Sequence, residues 1–266
     1  MLSAWPKLNR SIAAWADRRG RAVVSFVDFR LEPLIPLWIG TVVLIAFGKI
    51  LPASMPARSL TDVATMLLPF LLVALSPIVG YRVALGCFPF NPLASQPSFR
   101  LCRLGSWRRV DPLTARANPA FGPHGFMASL LAGLLLNVPF RTAEFLAAVP
   151  AIGTSAPAWA QVIMNAMVLD VIVMNFFYIV CFVMALRAAP LFPRMLLFVW
   201  VADIMMQLSI AQAVASAPDL PSSIGPAVKD LLLGNIQKVL ISATLWLPYL
   251  ILSDRINITF RARIRA

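Results

Sequence analysis

The stretch AQVIMNAMVLDVIVMNFFYIVCFVMAL, residues 160–186, carries one formal charge, Asp170, in a run that is otherwise uncharged and mostly apolar. A bilayer core about 30 Å thick is crossed by about 20 apolar residues in a helix, so this segment is long enough to span it. Working outward, five more stretches meet the same test: 34–51, 63–88, 126–148, 191–216 and 231–252. The expected fold class is therefore all-α, a polytopic membrane protein with six transmembrane helices.

The composition agrees. Of 266 residues 60% are hydrophobic and 13% charged, with a mean hydropathy of +0.81, whereas soluble domains have about a quarter charged residues. A single soluble domain is excluded, and so is a disordered chain, which shows the opposite balance. The first apolar run begins late and no small-residue cleavage site follows it, so it reads as a span and not as a signal peptide.

The net charge of +12 has a pattern. Lys7, Arg10, Arg18, Arg19, Arg21 and Arg30 precede span one, and Arg82, Arg100, Arg103, Arg108, Arg109 and Arg116 lie between the end of span two and the start of span three. Arg187 and Arg194 bracket the turn between spans four and five, and Arg255, Arg261, Arg263 and Arg265 follow span six. The alternate connections carry little beyond Arg58 and Lys229. By the positive-inside rule both termini are cytoplasmic. This placement accounts for the basic excess without a nucleic-acid partner and offers a grip on anionic lipid. Arginine outnumbers lysine 19 to 4, a composition that points to a bacterial source and so to the bacterial inner membrane.

The sequence divides into an arm (1–33), a two-helix hairpin (34–88), a proline-rich cytoplasmic loop (89–125), a four-helix bundle (126–260) and a basic tail (261–266). In the arm Trp5, Leu8, Ile12 and Trp15 recur at helical spacing with Arg10, Arg18 and Arg19 among the basic residues around them. That pattern predicts an amphipathic helix on the membrane surface. The loop has Pro89, Pro92, Pro97, Pro112, Pro119 and Pro123 together with Phe99, Trp107 and Phe121. Prolines and aromatics in place of Gly and Ser predict an ordered loop, packed on its own face or on a partner.

Span three carries Gly125, Ser129, Gly133, Asn137 and Arg141 at intervals of four. Gly125, Ser129 and Gly133 are expected to allow close helix approach. Ionisable residues within a span face protein or water, and here they are Arg141, Glu144, Asp170, Asp203 and Lys238, with Asn137 and Gln207 as polar neighbours. Two bases and three acids at similar depth predict one buried polar network. It is either a clamp that fixes helix order or a path for protons or ions.

No motif for catalysis is present: no GxSxG, HExxH, Walker or GxGxxG sequence occurs. The one histidine, His124, and the cysteines Cys87, Cys102 and Cys181 are too few and too scattered for most metal or haem sites. His124 reads as a turn residue and Cys181 as packing. The chain reads as a non-enzyme, with no cofactor expected beyond bound lipid.

Phe192-Pro193-Arg194, Asp203 and the ending Leu245-Trp246-Leu247-Pro248-Tyr249 with Ser253, Arg255, Thr259 and Phe260 carry a resemblance. From about residue 126 the chain resembles the YdgK-like family of four-helix bacterial inner-membrane proteins. That family shows a similar FPR turn and an ending like IWxPYxxxSxRVxxTF, from which Asp254, Ile256 and Asn257 depart. The resemblance implies a four-helix membrane unit and no activity. The functional expectation is an accessory or structural subunit, or assembly factor, of a larger membrane complex, respiratory or photosynthetic complexes being candidates, with other integral membrane subunits as partners. The alternative is a small transporter or channel that uses the polar network.

Overall fold

The computed structural model describes residues 4–51, 59–89, 104–153 and 155–266, without the side chains of residues 4–17, 19, 23 and 26–29. The elements in chain order are α1 (Ala4–Ile50), α2 (Leu60–Cys87), β1 (Trp107–Arg109), α3 (Pro112–Ala117) and α4 (Met127–Ala148). There follow α5 (Ala158–Leu186), α6 (Phe192–Ala215), α7 (Ile224–Leu252), α8 (Asp254–Arg261) and β2 (Arg263–Arg265). Among the described residues six helices are long and apolar enough to cross a membrane, making this a multi-pass membrane protein.

α5 is the centre of the molecule. Its last turns, from Tyr178 to Leu186, are buried without interruption, because α2, α4 and α6 all pack on it. Gly80 of α2 makes the closest approach: a Cβ there would stand 2.5 Å from Ile179 Cγ2 and 3.0 Å from the Phe176 carbonyl oxygen. α2 starts on a capping box, in which the Ser59 hydroxyl accepts from the Asp62 amide and the Asp62 carboxylate from the Ser59 amide, both at 3.1 Å. α1 lies across α2 and α4. Trp38 Nε1 donates to the Ala74 carbonyl at 2.9 Å, and Lys49 Nζ to the Val149 carbonyl at 2.6 Å. The Arg82 guanidinium grips Glu32 through two bonds of 2.7 and 2.6 Å.

Three boundaries differ from expectation. α1 is one helix of 47 residues that runs through Pro33 and Pro36, so the arm and span one are continuous, about 70 Å in all at 1.5 Å per residue. Trp5, Arg10, Trp15 and Arg19 have side chains outside the described set, and Arg18 is exposed. α7 begins at Ile224, two turns before the apolar run at 231, because Pro226 falls in its first turn, where no backbone donor is required. Span six ends at Leu252, as expected, while the helix bundle, expected to reach 260, stops with it. Ser253 takes extended angles (φ −69, ψ 131) and the chain restarts as α8.

The end of the bundle that carries Arg187, Arg255 and the chain's tail, the basic end, is covered by a small cap. β1 pairs antiparallel with β2, Trp107 opposite Arg265 and Arg109 opposite Arg263. The Trp107 ring lies under the Arg263 and Arg265 guanidiniums at 5.1 and 5.9 Å. Ala115 of α3 packs with Ile258 and Ala262, and the Gly122 amide donates to Thr259 Oγ1 at 3.0 Å. Asn257 holds the turn from beneath, donating to the carbonyls of Ile251 and Ser253 and accepting from Arg261 and Arg263. The loop thus packs on its own chain from Leu104 onward. Its remainder, including Phe99, Arg100, Cys102 and Arg103, lies outside the described residues. His124 serves the turn, its ring folded over Gly122, which has φ +106.

Candidate functional site

Helical spacing puts Asp203 and Gln207 on one face of α6, turned toward Asp170 of α5 and Arg141 of α4. Arg141 Nη1 donates to Asp203 Oδ2 at 2.8 Å and Nη2 to Asp203 Oδ1 at 2.7 Å. Nη2 also reaches both Asp170 oxygens at 3.0 Å. Side-chain exposure is 10% for Arg141, 7% for Asp170 and 1% for Asp203. Gln207 Nε2 donates to Asp170 at 3.0 Å and to Asp203 at 3.3 Å, and the Tyr178 hydroxyl donates to Asp203 Oδ2 at 2.8 Å. Both carboxylates therefore accept from more than one donor, as buried charges require. One cation, bonded through both of its terminal nitrogens, ties three helices together, while its Nε is buried with no hydrogen-bond partner among the described residues.

A second ion pair stands beside it. Lys238 of α7 donates to Glu144 of α4, with side-chain exposures of 59% and 45%. Asn235 joins the two pairs: its amide nitrogen donates to Gln207 Oε1 at 3.2 Å, and its oxygen accepts from Lys238 at 3.5 Å. The expected single network is thus one buried triad and one half-exposed pair, linked through an asparagine. Arg141 and Glu144, three residues apart, face different partners.

α7 leans on α6 and scarcely touches α4. A cleft of about 140 Å³ remains between α4 and α7, and Gly133, Asn137, Arg141, Lys238 and Ser242 are among the residues lining it. Phe126 meets Trp246 and Tyr249, ring centroids 5.2 Å away in each case, and closes the cleft toward the basic end. Asn137 lines the cleft and is not part of the triad.

The small-residue ladder behaves differently from its expected role. Gly125 does permit close approach, since a Cβ on Gly20 of α1 would stand 2.6 Å from its amide nitrogen. Ser129 is exposed and its hydroxyl bonds back to Phe126 O. A Cβ on Gly133 would meet nothing within 4 Å. The stripe drifts around α4, because four residues overshoot a helical turn, and it leaves the α1 contact for the open edge of the cleft. Ser129 and Gly133 are therefore not seen to pack a helix among the described residues.

Sequence reading missed Tyr178. The signal was present: it lies eight residues after Asp170, on the same face of α5, and a tyrosine hydroxyl within an apolar span calls for a partner. Cys181 is fully buried in packing, as expected. Among the described residues no three His, Cys, Asp or Glu side chains gather as a metal site. Compared with family models, curated proteins and solved structures, the chain matches none.

Proposed function

We propose that this is a non-catalytic integral protein of the bacterial inner membrane, with both termini cytoplasmic, that serves as an accessory or structural subunit, or assembly factor, of a larger membrane complex. The observation that carries this reading is the Lys238–Glu144 pair, half exposed on the open side of the α4–α7 cleft, with Lys238 at the middle of α7 and Glu144 in the last turns of α4. Ionisable groups at that depth are costly in hydrocarbon and face protein or water. A partner's transmembrane helix laid over the seam covers the pair, and Gly133, whose added Cβ would meet nothing within 4 Å among the described residues, lets it approach closely. The Arg141 triad supports a structural role, because its charged groups are engaged with one another across α4, α5 and α6. α4 to α7 form the four-helix unit of the YdgK-like resemblance. The part of α1 that precedes Arg30, with the basic cap beside it, lies at the cytoplasmic face against anionic lipid.

The transporter reading has the cleft in its favour. Below the cleft, however, the space narrows to about 20 Å³ beside Asp170 and Gln207, room for about one water. Purification from native membranes in mild detergent tests the proposal: at least one other integral membrane protein should travel with the chain. Gly133→Leu should release that protein while leaving the chain's own thermal unfolding unchanged. A native extract in which the chain runs alone, as a monomer or with copies of itself, overturns the reading.

A further inference from the structure

At the end of the bundle away from the cap, the α4–α5 connection and the first turns of α5 and α7 enclose a space of about 450 Å³. Among the described residues no charged or amide side chain lines it; the lining is aliphatic side chains, methionines, Trp159 and backbone. An apolar cavity of about 150 Å³ already stays dry and takes a benzene ring, and ligand sites run from about 300 to 1,000 Å³. Met66, Met164 and Met167 supply walls that adapt to an occupant. Met167 and Leu231 form the floor and separate the chamber from the 20 Å³ space beside Arg141, Asp170 and Gln207. From Trp159 to Met167 the chamber follows α5 for about 12 Å.

We infer that this chamber is a binding site for one hydrocarbon chain of a membrane lipid. The described lining has no charged side chain to hold a head group, so the head stays at the membrane surface and only the chain enters. The ionic cluster beyond that floor sets how deep it goes, since an apolar chain gains nothing by displacing the partners of Asp170. The site takes a free fatty acid or one chain of a phospholipid, two sources of the same chemistry. This inference stands apart from the accessory-subunit reading, which concerns the α4–α7 seam nearer the middle of the bundle.

The test uses the full chain in nanodiscs with a photoreactive diazirine in a lipid chain. One arm carries the diazirine on a phospholipid and the other on a free fatty acid. Labelling mapped by peptide mass spectrometry should concentrate on residues 159–167 and 224–231, above that at Ile241 and Leu245, which are exposed on α7. Ala160→Phe should reduce chamber labelling several-fold and leave Ile241 and Leu245 unchanged. Ala227→Phe fills the space from the opposite wall, at an exposed position of α7 that tolerates bulk, and should do the same. Labelling in either arm supports the site and names the source of the chain. Chamber labelling no higher than at Ile241 and Leu245, or insensitive to both fillings, overturns it.

Discussion

Arg141 shows why a buried charge in this protein is an architectural part. Its guanidinium is planar and presents donors in a fork, and the two carboxylates approach it from different helices. Removing the cation alone leaves two buried acids facing each other with no opposite charge between them. Arg141→Leu should therefore cost about 3–5 kcal/mol, the usual penalty for breaking a buried ionic group. Thermal unfolding in detergent reads this as a large drop in midpoint. Adding Asp170→Asn and Asp203→Asn to that variant should recover most of the loss, because neutral amides no longer repel. If the triple variant is no better than Arg141→Leu, the triad is not a mutually neutralising clamp. The members of this triad were legible in the sequence, since ionisable residues stand out in apolar spans. Who pairs with whom was not, because pairing depends on how each helix is rotated. Lys238 pairs with Glu144 and not with either aspartate, which Arg141 holds.

At the scale of elements, glycines separate helices that touch from helices that do not. Gly80 lies against α5, so Gly80→Ala should lower stability by about 1–3 kcal/mol, the cost of overpacking. Gly40 of α1 meets nothing within 4 Å, and Gly40→Ala should be neutral or stabilising by up to about 1 kcal/mol. Both are read as shifts in the unfolding midpoint, and equal effects at the two sites would contradict the α2–α5 contact. The six long helices were legible because a 20-residue apolar run is an unambiguous signal. β1 and β2 were not: a three-residue strand such as Trp107–Arg109 is too short to show alternation. The restart at Ser253 was hidden as well, because only backbone angles distinguish it from a continuing helix.

For the whole molecule the governing quantity is the placement of charge along the membrane normal. Cys87 is exposed near the basic end of α2, and Ser222 is exposed in the α6–α7 turn at the opposite end. With Cys102→Ser in place, a membrane-impermeant maleimide should label Ser222→Cys in intact cells and Cys87 only after permeabilisation. The reverse pattern would invert the proposed orientation. The strand pairing at the cap adds a constraint of another kind. β1 lies before α4 in the chain and β2 after α8, with four spans between them. During synthesis the loop that contains Trp107 is made early and has no strand to pair with until all four helices have been threaded into the bilayer. Cap closure is therefore a late event, and it reports on insertion: a chain with a helix left out or inverted carries β2 on the wrong side, and Arg108 and Arg109 stay open to protease.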